Sequence, residues 1–317
     1  MSGLSTALLA VTGITLLYYG GDWLVRGASG LALRLGLTPL AIGLTVVAFG
    51  TSAPELVVSL SAVISGANDI AVGNVVGSNI ANIGLILGSG AALRALEVHT
   101  RLIRLDAPLM IGVALVMLWM LADSHVGRLE GLSLVCGLIG YISFTLLQAR
   151  RESLRAEGEF ASESRHDRGS LLHQSGLVVA GVLGLVLGGK ALVAAAISLA
   201  LTLGVSQATI GLTVVALGTS LPELAASLIA VARGQGDIAL GNVIGSNMFN
   251  TLGILGITAV VTPLERGAVD WLSLSLMLGL SIALWPMLAL GKRLTRPEGV
   301  ALLLVYIGYV GWLAQHG

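Results

Sequence analysis

The chain has 317 residues, 55% of them hydrophobic and only 11% charged, with a formal net charge of zero. Soluble domains carry about 25% charged residues, so there is too little polar surface for a water-soluble globule. Zero net charge gives no basic field for nucleic acid, and the single Cys136 excludes an internal disulfide.

Crossing the hydrocarbon core takes about 20 apolar residues in a helix. Ten segments meet that need, at roughly 4–33, 38–65, 69–93, 104–122, 129–149, 172–203, 206–232, 237–262, 268–290 and 298–315. Segment one has no Lys or Arg between Met1 and Ala10, so it reads as a retained helix rather than a secretory signal. It carries Asp22 after Gly20-Gly21; segment six carries Lys190 after Gly188-Gly189. At these matching places the charge is reversed; the first reading is that each charge snorkels or finds local partners, and the sharper alternative is an ion pair between the two segments.

Segment two contains GTSAPE, residues 50–55. Pro54 lacks an amide hydrogen and clashes with the carbonyl of Gly50, so the helix is expected to break near its middle. A break at membrane depth frees carbonyls and hydroxyls, tolerated only where they face protein or a polar cavity. Carbonyls, Thr and Ser hydroxyls and a carboxylate form an all-oxygen set suited to hard cations. Ser52 and Glu55 also have capping-box spacing. In a soluble protein that would suffice, but an acid at the centre of a membrane helix costs at least ~2.5 kcal/mol and reads as functional.

Segment three carries GNVVGSNIAN. Gly73 and Gly77 are spaced for close helix packing, while Asn74, Ser78, Asn79 and Asn82 need polar partners at that depth. Ser78 and Asn82, four apart, share a face that is expected to look at the broken helix. Asp69, at the segment's start, reads as a surface N-cap. Segments four and five bring no such motif. Residues 150–170 are the one long hydrophilic stretch and read as a solvated linker.

Beyond it the pattern returns. Residues 38–88 align without a gap onto 206–256 at an offset of 168, with about 31 of 51 positions identical. GTSLPE places Thr219, Ser220 and Glu223; GNVIGSNMFN places Asn242, Ser246, Asn247 and Asn250; Asp237 matches Asp69. Five segments per half is an odd number, so the second half enters from the opposite side. The expected fold is an all-α integral membrane protein of ten transmembrane helices, arranged as two inverted-topology five-helix repeats with helices two and seven broken. Residues 1–149 form the first repeat, 150–171 a cytoplasmic linker and 172–317 the second repeat. Loop Lys and Arg divide about thirteen against two, which puts the linker inside and both termini outside.

These motifs resemble the calcium/cation antiporter superfamily, and its prokaryotic sodium/calcium exchanger branch most closely. The resemblance covers the whole architecture and is specific in about fifty residues per half. It implies exchange of Na+ for Ca2+ by alternating access at a midplane site in the inner membrane. Glu55 and Glu223 are then the shared ligands. Thr51, Ser52, Ser78, Thr219, Ser220 and Ser246 supply hydroxyls, Ala48 and Ala216 backbone oxygens, and Asn82 and Asn250 complete the set. Potassium-dependent relatives have Asp where this chain has Asn250, which leaves stoichiometry and K+ use open.

The alternatives are H+/Ca2+ exchange, a cation channel and an intramembrane enzyme. Proton/calcium exchangers resemble the chain less, because they replace the GSN element. A channel lines a continuous pore, whereas paired broken helices suggest gating around one site. No HExxH or Ser/His pairing supports an enzyme, and no Walker motif supports a pump. The expected partners are Ca2+, Na+ and the bilayer, with no organic cofactor and no nucleic acid.

Overall fold

The computed structural model describes residues 3–159, 170–202, 218–267 and 269–316. It is helical apart from four two-residue strands. In chain order, α1 spans Gly3–Leu35, α2 Pro39–Thr51 and α3 Ala53–Ile64. Helix α4 runs from Asn68–Ala81 through a π segment, Asn82–Leu87, into Gly88–Leu93. Helix α5 is Leu102–Asp123, α6 Arg128–Glu159, α7 Leu171–Thr202 and α8 Leu221–Ala232. Helix α9 runs from Gly236–Met248 through a second π segment, Phe249–Leu255, into Gly256–Val261; α10 is Trp271–Ala289 and α11 Arg296–His316.

Seven of these helices are long and apolar enough to cross a membrane, eight when α2 and α3 count as one broken span. The protein is a multi-pass, all-α membrane protein. Its large exposed side chains are those of a surface that meets lipid, among them Trp119, Leu129 and Leu172. The most deeply buried long helix is α9, which packs against α2 and its π segment Gly43–Val47.

Small residues let these backbones touch. A Cβ on Gly241 would lie 2.7 Å from the carbonyl oxygen of Leu40, and one on Gly245 2.5 Å from that of Leu44. The spacing of Gly241 and Gly245 is therefore used for close packing. Residues 203–217, Ala216 among them, correspond to residues 35–49 and so to most of α2, and lie outside the described residues.

Helices α1 and α7 pack along most of their length. Their seam has glycines seven apart: Gly13, Gly20 and Gly27 on α1, Gly181 and Gly188 on α7. A Cβ on Gly20 would come within 2.7 Å of the Leu185 nitrogen, and one on Gly181 within 2.5 Å of the Leu24 nitrogen.

This antiparallel register rules out the Asp22–Lys190 pair and leaves Asp22 with other partners. Gly13 meets Gly188 and Leu192, while Gly20 meets Gly181 and Leu185. Lys190 is thus level with Gly13, and nine residues of helix at 1.5 Å each separate it from Asp22 by about 13 Å. Asp22 is buried and pairs with Arg26 one turn along, at 3.0 Å, and with Arg233 just after α8. Arg101, one of the cations in the loop between α4 and α5, is also buried, and pairs with Asp106 at 3.4 Å.

Four short strands tie connections together in antiparallel pairs. β1, Leu96–Glu97 between α4 and α5, pairs with β4, Arg293–Leu294 between α10 and α11. β2, His125–Val126 between α5 and α6, pairs with β3, Leu264–Glu265 between α9 and α10.

Candidate functional site: a buried oxygen cluster

The expected break in segment two is present. α2 and α3 meet at a 44° bend, where Ser52 leaves helical geometry at φ −83°, ψ 7°. Pro54 sits in the first turn of α3, where a missing amide hydrogen costs nothing. Ser220 adopts the matching conformation, φ −87°, ψ 4°, ahead of α8, with Pro222 likewise placed. A glutamate comes three residues after each serine, so Glu55 and Glu223 occupy the first turns of α3 and α8; most of the span expected to precede Ser220 in a broken helix seven lies outside the described residues.

Neither serine caps its helix through its side chain. The capping-box reading fails because both hydroxyls are used across the molecule. Ser52 Oγ donates to Glu223 Oε1 at 2.8 Å and lies in hydrogen-bond contact with Ser246 Oγ at 3.1 Å. Ser220 Oγ donates to Glu55 Oε1 at 3.4 Å. Each half thus supplies the hydroxyl that holds the other half's carboxylate. Thr51 Oγ1 meets Asn242 Oδ1 at 3.1 Å and the Ala48 carbonyl oxygen at 3.3 Å. Thr219 is described at the break, and Ser78 is buried. Nor are Asp69 and Asp237 N-caps: α4 starts at Asn68 and α9 at Gly236, so both acids are second residues.

The glutamates are 1% and 2% exposed. Each has one carboxylate oxygen held by a serine, while Glu55 Oε2 and Glu223 Oε2 are buried and accept no hydrogen bond from a described group. The same is true of Asn82 Oδ1 and Asn250 Oδ1. Both asparagines lie at or beside the start of π segments, a widening of the helix that recurs at functional sites. α8 packs against Asn82–Leu87 and α3 against Phe249–Leu255, so Glu223 and Asn82, and Glu55 and Asn250, come from touching elements.

The amide orientations have a local cause. Asn82 Nδ2 donates to Asn247 Oδ1 at 2.9 Å, and Asn250 Nδ2 to Asn79 Oδ1 at 3.1 Å. Asn79 in turn donates to Thr251 Oγ1 at 3.0 Å, and Asn247 to Met110 Sδ at 3.6 Å. With the nitrogens committed, the oxygens of Asn82 and Asn250 are left over. Asn74 and Asn242 brace the glutamate helices through Ser59 and Ser227, both at 2.9 Å, and through the backbone oxygens of Glu55 and Glu223. Sequence reasoning named Asn79, Asn247, Asn74 and Asn242 as needing partners but left them out of the ligand set. Their recurrence at the offset of 168 was the available signal.

Four buried, unpaired oxygens, two of them on carboxylates, fit hard cations, since leaving such acceptors unpaired in a dry interior is costly. No thiolate or imidazole joins them among the described residues. A helical membrane protein with that donor set at a helix break is a cation transporter by class.

The comparisons with known proteins agree. The chain belongs to the sodium/calcium exchanger protein family, whose model matches residues 5–147 and 173–315; this is a family of cation/Ca2+ antiporters rather than enzymes. The chain is 40% identical over 323 residues to inner membrane protein YrbG of Escherichia coli, covering 98% of this chain and 96% of YrbG. It is 32% identical over 341 residues to sodium/calcium exchanger MaX1 of Methanosarcina acetivorans, covering 96% and 97%. A solved structure of the sodium-calcium exchanger NCX_Mj superposes with a TM-score of 0.85 at 29% identity, covering 98% of this chain and 100% of that one.

Proposed function

We propose that this chain exchanges Na+ for Ca2+ by alternating access at one site, with Glu55 and Glu223 as shared ligands. Thr51, Ser52, Ser78, Asn82, Thr219, Ser220, Ser246 and Asn250, with the backbone oxygens of Ala48 and Ala216, complete the set. The observation that carries the reading is the set of four unpaired buried oxygens on packed elements of the two halves. Two carboxylates supply the roughly two negative charges that a buried divalent ion needs against its desolvation cost. No organic cofactor is required.

The ten-crossing, inverted-repeat architecture belongs to this reading, with repeats 1–149 and 172–317 joined by the linker 150–171. The strand pairs support it. At the offset of 168, β1 corresponds to β3 and β2 to β4. β1 pairs with β4 and β2 with β3, while α5 separates β1 from β2 by a membrane-length helix. Corresponding connections thus belong to opposite ends of the molecule, which is how an inverted repeat makes one site reachable from two sides. The arginine bias supports placing the linker in the cytoplasm and both termini outside, and likeness to an inner membrane protein supports that membrane.

The test is Ca2+ uptake into proteoliposomes with and without an imposed Na+ gradient. Uptake driven by Na+ is expected. Uptake indifferent to Na+ but driven by a proton gradient would establish H+/Ca2+ exchange instead. Ca2+ flux with no coupled counterflow would establish a channel.

A further inference from the structure

A cavity of about 550 Å3 lies away from the cation site, among the connections α4–α5, α8–α9 and α10–α11. Arg94, Arg293 and Arg296 line it, with Glu97, Asp237 and the Gly234 turn. Arg293 faces Glu97 at 3.8 Å. The guanidiniums of Arg94 and Arg296 have no hydrogen-bond or ion-pair partner among the described residues. Arg94 reaches across the cavity wall: its Nη1 lies 3.4 Å from where a Cβ on Gly234 would stand. Three guanidiniums against two carboxylates leave one net positive charge.

The repeat supplies an internal control. At the offset of 168, Arg94 corresponds to Thr262 and Arg293 to His125. Arg296 corresponds to Arg128, which reaches the Val261 carbonyl oxygen at 3.5 Å. The turn itself is kept, with Gly66 at φ +81° and Gly234 at φ +74°. The fold therefore does not require an arginine at 94 or 293, and at 296 it keeps one that in the other half reaches a backbone oxygen instead of a cavity. A purely topological role, retaining positive charge on one side, would be met anywhere in the loops; it does not explain convergence on one cavity.

Apolar surface adjoins the cavity. Leu93, beside Arg94, is 61% exposed, and Val300, one turn beyond Arg296, is 45% exposed. A small soluble anion gains nothing from that surface, whereas a lipid tail does. Guanidinium binds phosphate through paired, charge-assisted hydrogen bonds, and basic pockets at the ends of membrane helices suit phospholipid headgroups. We propose that this cavity binds the phosphodiester of an anionic phospholipid, held by Arg94 and Arg296 with its acyl chain along Leu93 and Val300. This site is independent of the exchange reading.

The test is native mass spectrometry of the purified full chain in detergent, titrated with phosphatidylglycerol, phosphatidylcholine or inorganic phosphate. One retained phosphatidylglycerol is expected. The double variant Arg94→Gln/Arg296→Gln is expected to weaken retention about tenfold or more, since hydrogen bonds to charged groups are worth ~1.5–3 kcal/mol each; Arg128→Gln should not. Equal retention by the double variant, equal retention of phosphatidylcholine, or displacement of the lipid by millimolar inorganic phosphate would overturn the proposal. A photoactivatable phosphatidylglycerol on the wild-type chain gives a second reading, free of any folding effect. Labelling near residues 93–97 and 293–300 supports the site, and labelling confined elsewhere refutes it.

Discussion

The oxygen cluster and the α1–α7 seam are both places where the two halves meet, yet they treat the repeat differently. In the cluster, both the residues and their bonds are duplicated: Ser52 holds Glu223 and Ser220 holds Glu55, while Asn82 meets Asn247 and Asn250 meets Asn79. Along the seam Gly13 and Gly20 recur as Gly181 and Gly188, and Leu17 and Leu24 as Leu185 and Leu192, but the charges do not recur. Asp22 and Lys190 differ in sign, and Asp22 finds its partners on α1 and beyond α8. The seam needs only close backbone approach, and any residue off the contact line can drift. The cluster must present matching oxygens from both sides, so every hydroxyl and amide in it is constrained.

Breaking the cluster at a carboxylate is expected to have the largest effect. Glu55→Gln or Glu223→Gln should abolish Ca2+ transport while membrane insertion and thermal stability are kept. The amide keeps the shape and removes a charge that the divalent ion needs. Robust Na+-driven uptake by the double variant, measured in proteoliposomes, would refute the site.

Breaking the seam should do the opposite. A leucine at Gly20 or Gly181 would push side-chain atoms against the backbone of Leu185 or Leu24. Overpacking of this kind costs about 1–3 kcal/mol, and more where backbone cannot yield. The expected result is a clear drop in the thermal midpoint in detergent, together with reduced transport. An unchanged midpoint would show that the seam is looser than its geometry.

The difference between the two regions also explains what could be read from the sequence. The offset of 168 gives correspondence, and Gly50 with Pro54 gives the break at Ser52, so the glutamates and the first broken helix were legible. Correspondence does not give adjacency. Ser52 bonding to Glu223 instead of capping its own helix depends on how α2, α8 and α9 are stacked. The antiparallel register of α1 and α7, which separates Asp22 from Lys190, is likewise tertiary. The π segments at Asn82 and Phe249 left no local mark, because no Pro announces them. Asn79 and Asn247 gain their role only when the other half's amides arrive.

A smaller effect should follow from pH. Protons and Ca2+ compete for the same carboxylate oxygens, and a bound proton removes a charge that the ion needs. Apparent Ca2+ affinity should therefore weaken on acidification, by up to about tenfold per pH unit where one proton competes. The seam is held by glycine-to-backbone contacts rather than by carboxylates, so stability should change less than affinity. Affinity that stays flat between roughly pH 8 and 5.5 would count against direct competition.

The subtlest change is a single atom at Asn250. With two acids, bound Ca2+ leaves the proposed site neutral, so transport should need no K+. Exchange of more than two Na+ per Ca2+ would move net charge and respond to membrane potential. Asn250→Asp adds a third acid, and it also replaces the amide donor that meets Asn79 Oδ1 at 3.1 Å. Two oxygens would then face each other. Asn79 cannot turn freely to donate, because its nitrogen is held by Thr251 Oγ1 at 3.0 Å. The new carboxyl must take up a proton or a further cation, since an unpaired buried carboxylate is not tolerated. The variant should retain flux but acquire a cation or proton dependence and a steeper pH profile. Adding Asn79→Leu should lessen that dependence by removing the opposing oxygen. Wild-type flux that requires K+ on the Ca2+ side, or an Asn250→Asp variant with unchanged ion and pH dependence, would show that the amide pair does not set the charge of the site.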